Sequence, residues 1–281
     1  MRATHRMRTL LFTLSALVSL GATPVEARDL RVCADPNNLP FSNAQGEGFE
    51  NKIAVLLARK LGANLTYTWW PQRRGFIRNT LNEGTCDLIT GIASGVEMLR
   101  PTRPYYRSGF AFVTLTDGPE ITSFDDPVLK SLRIGVQLVG EDGSNPPPSH
   151  ALARRGIIDN VRGYSVYGDY RDRHPAAGII TAVVKGEIDV AVVWGPLAGF
   201  FAKREAMPLR VTLVTPVIDG PRLPMAFDIS MGVRTKDTAL RDEVDAALAD
   251  LRPQIDAILA DYGVPRLDVR PPVARRQREV E

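Results

Sequence analysis

The sequence predicts an α/β protein of two Rossmann-like lobes joined by a two-strand hinge, with a cleft between the lobes. Short hydrophobic strands alternate with segments of helical periodicity, which is the pattern of an α/β architecture. This alternation occurs twice, over residues 30–91 and over residues 133–194. A turn-rich bridge over residues 104–126 separates the two series. Two similar units with two crossings of the chain indicate a hinged, bilobed body.

The individual elements are predicted from the spacing of apolar residues. Continuous apolar runs are typical of parallel strands covered on both faces. The predicted strands are residues 30–34, 65–69, 87–91, 110–115, 133–136, 188–194, 211–214 and 229–233. Apolar residues at helical spacing predict helices between and after these strands. The predicted helices are residues 49–61, 73–81, 176–185, 239–251 and 255–262.

Both ends of the chain are predicted to lie outside the folded body. Residues 1–27 contain a basic region, an apolar stretch over residues 10–20 and a small-residue cleavage site, the pattern of a signal peptide. The apolar stretch is short for a membrane anchor, the alternative interpretation. Residues 271–281 are basic and poor in apolar side chains, which predicts a flexible tail. We therefore expect a periplasmic protein with lobe 1 formed by residues 28–111 plus 221–270 and lobe 2 by residues 112–220.

Charge and composition argue against several classes of partner and cofactor. Removal of residues 1–27 takes away three Arg and one Glu and lowers the formal net charge from +3 to +1, too little for a nucleic-acid-binding protein. No second long apolar run follows, so we expect no stable membrane insertion. His150 and His174 have no metal-ligand neighbours at helical spacing, which argues against zinc. No nucleophile elbow, phosphate-binding loop or dinucleotide motif is present, so we expect neither a cofactor nor enzymatic activity.

The chain contains two cysteines, Cys33 and Cys86. Cys33 lies on the first predicted strand and Cys86 precedes the third. In an oxidising compartment the two form a disulfide if these strands are neighbours. The alternative is two small buried hydrophobic residues that point apart.

Polar and aromatic residues follow several predicted strands at their carboxyl ends, where open α/β sheets bind ligands. Two prolines within residues 32–42, VCADPNNLPFS, take the chain out of regular structure directly after the first strand. The predicted cleft residues are Asp35, Asn37, Asn38, Phe41, Trp70, Arg73, Arg74, Glu141, Asp142 and Trp194.

Six members of this set have a structural alternative. Arg73 and Arg74 stand at the start of a predicted helix, where cations are disfavoured, so they either bind an anion or acidic partner surface or form ordinary ion pairs. Trp70 and Trp194 supply contact area at the cleft mouth or simply pack in the core. Glu141 and Asp142 line the cleft or lie in a solvated turn.

Seven segments spread over both predicted lobes resemble a known family. They are VCADPNNLPFS (32–42), GFENKIA (48–54), YTWWPQRRGFIRNTL (67–81), CDLITGI (86–92), RPYYRSGFAFV (103–113), IGVQLVGEDG (134–143) and GEIDVAVVWGPLAGFF (186–201). Broadly, the chain resembles the type II periplasmic solute-binding proteins of ABC importers. More narrowly, it is similar to the J proteins of methanol-oxidation gene clusters, MoxJ and XoxJ.

The resemblance implies a Venus-flytrap fold of the periplasmic binding protein-like II class, a periplasmic location and no enzymatic activity. It also implies a partner, a methanol dehydrogenase that depends on pyrroloquinoline quinone (PQQ) and whose maturation or activation the J protein assists, with the cytochrome c of that enzyme as a further candidate. The alternative is an importer's binding protein for a small polar solute.

The chain departs from the amino-acid-binding members of the family. Those members hold the ligand carboxylate with an Arg after the strand that corresponds to residues 87–91. Here the region of residues 95–99 is shortened, and Arg100 is not clearly in register. Their acidic residue for the ligand ammonium corresponds to the region of Trp194, whereas Asp35 does match the acidic residue that ends their first strand. Free amino acids are therefore a poor expectation, and the resemblance favours a fold reused for protein docking.

Overall fold

Strands and helices alternate along the chain in the computed structural model, which describes residues 28–138, 145–165 and 170–268. The expected signal peptide (1–27) and tail (271–281) lie outside the described residues. The described strands are β1 Asp29–Ala34, β2 Asn37–Asn38, β3 Ser42–Asn43, β4 Asn64–Trp69, β5 Leu88–Ala93, β6 Arg100–Pro101, β7 Tyr106–Leu115, β8 Ile134–Leu138, β9 Val161–Ser165, β10 Val190–Trp194, β11 Leu209–Leu213, β12 Ile218–Asp219, β13 Leu223–Pro224 and β14 Ala226–Val233.

The described helices pack on the faces of the sheet. They are α1 Phe49–Lys60, α2 Phe76–Asn79, α3 Pro147–Arg154, α4 Gly178–Val184, α5 Gly195–Ala202, α6 Thr238–Asp250 and α7 Arg252–Asp261, together with short 3₁₀ helices at Pro127–Lys130 and Pro175–Ala177. None of them combines the length and the apolar content that a membrane crossing requires.

One long strand, β7, belongs to both lobes. Residues 106–109 pair antiparallel with β14, in a group of strands ordered β4-β1-β5-β14. From residue 110 onward β7 pairs with β10 and β11, and β8 and β9 extend that second group. The chain returns from β11 to β14 through residues 214–225. The two-lobed α/β fold predicted from the sequence is confirmed, and the lobe boundaries at residues 111 and 220 stay predictions.

The sheets are covered by helices on their apolar faces. In α1 the side chains of Phe49, Ile53 and Leu57 recur at helical spacing and are fully buried against β1 and β5. Burial of each such side chain contributes about 1.5–3 kcal/mol. The basic residues Arg59 and Lys60 lie in the last turn of α1, where they complement the helix dipole. Helix α1 is thereby fixed with its amino end at the carboxyl ends of β1 and β5.

Three elements differ from the sequence prediction. The helix expected over residues 73–81 is confined to α2, because Gly75 precedes it in a left-handed conformation at φ 89° and Thr80 leaves helical geometry. Helix α3, which begins at Pro147, was not predicted. Helix α5, with Pro196 in its first turn, was not predicted. A proline is tolerated in the first helical turn because its missing N–H has no partner there.

A disulfide joins Cys33 on β1 to Cys86, two residues before β5. The two strands are parallel neighbours, so the Cα atoms of the two cysteines are 5.5 Å apart. Both residues are buried among apolar neighbours of lobe 1.

We expect the variant with both cysteines replaced by serine to lose stability. The disulfide closes a loop with a sequence separation of 53 residues. Chain entropy alone then predicts a loss of about 4 kcal/mol in the free energy of unfolding. Urea unfolding monitored by circular dichroism measures this loss, and wild-type protein unfolded under reducing conditions is the control. A variant within about 1 kcal/mol of the oxidised wild type would contradict the prediction.

Candidate functional site

A cavity of about 330 Å³ lies between the two lobes. It is formed where the carboxyl ends of β1, β5 and β10 meet the strand shared by both lobes, the position at which α/β sheets bind ligands. We call this cavity the cleft. Its aromatic and apolar lining residues are Phe41, Ile92, Tyr106, Phe110, Trp194, Phe227 and Ile229. Its polar side chains are those of Asn38, Glu50, Gln72 and Gln137.

Aromatic rings from both lobes meet on one wall of the cleft. The indole of Trp194 contacts the ring of Phe110 edge-on at a centroid distance of 5.6 Å and that of Phe227 at 5.9 Å. The backbone N–H of Trp194 donates a hydrogen bond to Oε1 of Gln137 at 2.9 Å. This wall is therefore rigid, since packing and a hydrogen bond both hold Trp194.

The carboxylate of Asp35 is buried beside the cleft and is engaged within the protein. Its Oδ1 accepts a hydrogen bond from the backbone N–H of Asn37 at 2.8 Å. Its Oδ2 accepts one from the backbone N–H of Gln72 at 2.7 Å. The hydroxyl of Tyr170 lies 3.1 and 3.2 Å from the two oxygens. Asp35 thus organises the loops around the cleft.

Tyr170 brings a segment of lobe 2 onto lobe 1. Burial, together with the Asp35 carboxylate, raises the pKa of the Tyr170 hydroxyl well above its usual value. The hydroxyl is therefore a permanent donor at neutral pH. The guanidinium of Arg73 lies over the Tyr170 ring, 5.5 Å from its centroid. A cation in this position is attracted to the ring.

Further contacts hold the two lobes together near Asp35. The side-chain amide of Asn37 donates a hydrogen bond to the carbonyl of Asp172 at 2.8 Å. Arg173 and Glu47 form an exposed ion pair at 3.3 Å. Leu39, from the loop that follows β1, is buried in the hydrophobic cluster of lobe 2. In this structure the lobes are therefore closed against each other along one edge of the cleft.

Glu50 is the only acidic side chain among the described residues that line the cleft. It lies in the first turn of α1 and is 8% exposed. The hydroxyl of Thr90 donates a hydrogen bond to its Oε2 at 2.7 Å. A Cβ atom on Gly91 would lie 2.0 Å from its Oε1, so the carboxyl group rests against the backbone of β5. Burial raises the pKa of Glu50 to about 7, and the Thr90 hydrogen bond opposes this shift only partly.

The predicted cleft residues take three kinds of position. Asn38, Phe41 and Trp194 line the cleft. Asp35, Asn37 and Arg73 form the contacts between lobes just described. Trp70 is 42% exposed and Arg74 is also exposed; they lie two positions before and two positions after Gln72 in the chain. Glu141 and Asp142 lie outside the described residues.

Arg100 is turned to another partner. It lies on β6, away from the described lining residues, and its Nε donates a hydrogen bond to the carbonyl of Thr235 at 2.8 Å.

Several lining residues were not predicted from the sequence. Gln72 lies between Trp70 and Arg73, which were both predicted to line the cleft. Its position in the sequence could therefore have identified it. Nothing in the sequence indicated that Glu50 lines the cleft, because an acidic residue in the first turn of a helix is common. Tyr106, Phe110 and Phe227 reach the cleft because of the point at which β7 changes its pairing partner. No local pattern in the sequence indicates that point.

The chain matches the family of bacterial extracellular solute-binding proteins, family 3, over residues 30–264. It belongs to this family. Protein MoxJ of Methylorubrum extorquens is 33% identical over 256 residues, which cover 88% of this chain and 85% of that protein. Protein MoxJ of Paracoccus denitrificans is 32% identical over 268 residues, covering 90% of this chain and 94% of that protein. The predicted membership of the MoxJ/XoxJ group is confirmed.

The fold is shared with a solved structure of that group. The crystal structure of the periplasmic binding protein XoxJ from Methylobacterium extorquens AM1 superposes with a TM-score of 0.70 at 35% sequence identity. The match covers 85% of this chain and 99% of the XoxJ chain.

We expect Asp35→Asn to destabilise the protein. The substitution places an amide NH₂ among three hydrogen-bond donors, so at least one buried bond is lost. The expected decrease in the free energy of unfolding is about 1–3 kcal/mol. Urea unfolding monitored by circular dichroism measures it. Asp29→Asn, at the exposed opposite end of β1, is the matched control. Equal stability of the two variants would show that the Asp35 carboxylate is not needed.

We expect Glu50→Gln to stabilise the protein in a pH-dependent way. The pKa of Glu50 is about 7 in the folded protein against 4.5 ordinarily, so the folded state binds the extra proton between these values. The contribution of Glu50 is fully present below pH 4.5 and is lost as the pH rises through about 7. Glutamine carries no such loss. The stability of the variant relative to wild type should therefore increase by about 2–3 kcal/mol between pH 5 and pH 8.

Urea unfolding of both proteins at the two pH values measures this difference. The exposed Glu83→Gln serves as the control and should show no such trend. A difference between Glu50→Gln and wild type that stays constant with pH would rule out the raised pKa.

Proposed function

We propose that the protein is a non-catalytic periplasmic accessory protein that binds a PQQ-dependent methanol dehydrogenase and helps to mature or activate it. Membership of the MoxJ/XoxJ group supports the association with methanol oxidation. The observation that carries the docking role is the composition of the cleft. Its shape is that of a solute receptor, but the described lining residues include no Lys or Arg and the nearby Asp35 carboxylate is already bound within the protein.

The cleft is poorly suited to a free amino acid. A ligand carboxylate that enters it leaves water without gaining a cationic partner among the described lining residues. The charge-assisted hydrogen bonds that it forgoes are worth about 1.5–3 kcal/mol each. Asp35 offers no free carboxylate to an ammonium group either, because its two oxygens accept hydrogen bonds from two backbone N–H groups and from Tyr170. Recognition of a peptide segment or another occupant without a carboxylate is therefore favoured.

The surface around the cleft supports contact with a macromolecule. Trp70 is 42% exposed, and Arg74 is exposed four positions further along the same loop. An exposed tryptophan supplies contact area at low entropic cost, and arginines are enriched in the energetic centres of interfaces. Basic side chains also accelerate association with an acidic partner surface. We assign this loop, residues 70–74, to the dehydrogenase contact, with the cytochrome c as a secondary partner.

The non-catalytic role is proposed from the groups that the cleft presents. Among the described lining residues there is one carboxyl group, three amides and one phenol, without a Ser, Cys, Lys or His that would form a nucleophile and base pair. The described residues also contain no group of His, Cys, Asp and Glu arranged to hold a metal ion. These groups supply hydrogen bonds and shape, which suit binding.

We expect the purified protein to retain a PQQ-dependent methanol dehydrogenase in a pull-down, and the double variant Arg73→Glu, Arg74→Glu to retain much less. A glutamate at either position repels an acidic partner surface. Its side chain is shorter than that of the arginine it replaces. The dehydrogenase should be offered both with and without PQQ, and the retained amount quantified by densitometry. Circular dichroism spectra confirm that each variant is folded.

The matched control is the double variant Arg59→Glu, Lys236→Glu. Both residues are exposed, and both lie on the side of lobe 1 opposite the cleft, near the last turn of α1 and the end of β14. It changes the net charge equally and should leave retention unchanged. Equal retention by the two double variants would remove residues 70–74 from the contact, and no retention by wild type would reject the proposed partner.

A second candidate function, the binding protein of an importer for a small solute, is favoured by the size of the cleft. Its volume of about 330 Å³ lies at the lower end of the range for small-molecule pockets, roughly 300–1,000 Å³. Mass spectrometry of the same purified protein distinguishes the two. A single metabolite that copurifies at stoichiometric amounts would favour the importer, and its absence together with retention of the dehydrogenase would favour the accessory role.

A further inference from the structure

Glu50 has no role in the docking surface just proposed, and its position calls for one. A carboxyl group costs free energy to bury unless a partner compensates for the lost water. Thr90 supplies one hydrogen bond to Oε2, and the second oxygen, Oε1, rests against Gly91 at the border of the cleft. No cation from the described residues is paired with this carboxyl group. The carboxyl group therefore has the capacity to accept a further hydrogen bond on the side of the cleft.

The remaining groups around Glu50 carry no charge at neutral pH. They are the hydroxyl of Thr90 on β5, the phenol of Tyr67 on β4, and the phenols of Tyr105 and Tyr106 at the start of β7. Burial raises the pKa of each of these three phenols. Among the residues that the structure describes, Glu50 therefore sets the charge of this end of the cleft.

The walls of the cleft are suited to a positive charge. Rings of Phe41, Tyr106, Phe110, Trp194 and Phe227 line it, and the faces of aromatic rings attract cations. The amide oxygen of Asn38 is offered to an N–H donor. The amide oxygens of Gln72 and Gln137 already accept from the Asn38 amide and from the Trp194 N–H, and each keeps one further lone pair. The described lining contains no Lys or Arg that would repel a cation. An aromatic enclosure with one carboxyl group is the chemistry that recognises organic cations.

We propose that the cleft binds an alkylammonium or guanidinium group, with Glu50 as its counter-ion and the aromatic rings as its walls. The inference deepens the proposed function and rests on it for one point, the source of the cation: a Lys or Arg side chain on the segment of the dehydrogenase that enters the cleft. A free organic amine has the same chemistry and is distinguished below. Burial raises the pKa of Glu50 to about 7, so a substantial fraction of this carboxyl group carries a proton at neutral pH, and binding of a cation releases that proton.

Isothermal titration calorimetry with the full protein tests this proposal. The probes are Nα-acetyl-lysine methylamide, Nα-acetyl-arginine methylamide and butylammonium, with Nε-acetylated Nα-acetyl-lysine methylamide as the neutral analogue. Titrations in two buffers of different ionisation enthalpy count the protons released. We expect the cationic probes to bind and the neutral analogue to bind at least tenfold more weakly. The affinity should rise about tenfold from pH 6 to pH 8, because the ionised fraction of a group with a pKa of about 7 rises by that factor.

The variant Glu50→Gln should lose at least tenfold in affinity and all of the proton release, whereas the exposed control Glu83→Gln should match wild type. Glu50→Gln is expected to be the more stable protein at neutral pH, so loss of folding does not explain a loss of binding. Equal affinity for the neutral analogue, unchanged binding by Glu50→Gln, or no binding of any cationic probe at millimolar concentration would each overturn the proposal.

The two proposals fail separately. If Glu50→Gln retains the dehydrogenase as well as wild type does in the pull-down, the cation site is rejected while the proposed function stands. If the probes bind as expected but the dehydrogenase is not retained, the reverse holds. Tighter binding of butylammonium than of either amino-acid probe would identify a free amine as the source.

Discussion

The geometry of the cleft depends on the way in which β7 divides its backbone hydrogen bonds between the two lobes. Up to residue 109 the strand is paired with β14, and from residue 110 it is paired with β10 and β11. Because one continuous buried strand serves both sheets, the lobes cannot separate without bending at this point. Tyr106 and Phe110 lie on either side of the change of partner and both line the cleft. The floor of the cleft is thus part of the connection between the lobes.

The cleft between the lobes contains few charged groups that a ligand can reach. A solute receptor for amino acids needs a positive and a negative group that face the same small volume. Here the negative group that follows β1, Asp35, accepts hydrogen bonds from the loops around the cleft and is not available to a ligand. The described lining contains no positively charged side chain. The remaining charge among the described lining residues is that of Glu50. When no cation is bound beside it, a proton neutralises this carboxylate. The proposed preference for cationic groups over zwitterions and anions rests on this distribution of charge.

Much of the fold was predictable from the sequence because the strands and α1 carry their own apolar pattern. Strands such as β5 and β10 are buried in nearly continuous runs, and α1 repeats its apolar residues at helical spacing. Helices α3 and α5 were not predicted because each has a proline in its first turn, and a proline in a sequence is usually interpreted as a helix break. The cleft was only partly predictable for a different reason. Asn38, Phe41 and Trp194 follow strands, where ligand sites are expected, whereas Glu50 and Tyr170 reach the site through contacts between distant segments that no local pattern encodes.

The burial of Leu39 has a consequence for the kinetics of the protein. This side chain belongs to the loop after β1, yet it packs in the hydrophobic cluster of lobe 2 and is only 6% exposed. Any widening of the gap between the lobes transfers it to water, at a cost of about 1.5–3 kcal/mol. The conformation with separated lobes is then a minor species of the ensemble. A ligand enters or leaves the cleft only when the protein adopts this conformation. The residence time of an occupant then depends on this buried leucine together with the polar contacts between the lobes, and not on the lining of the cleft alone.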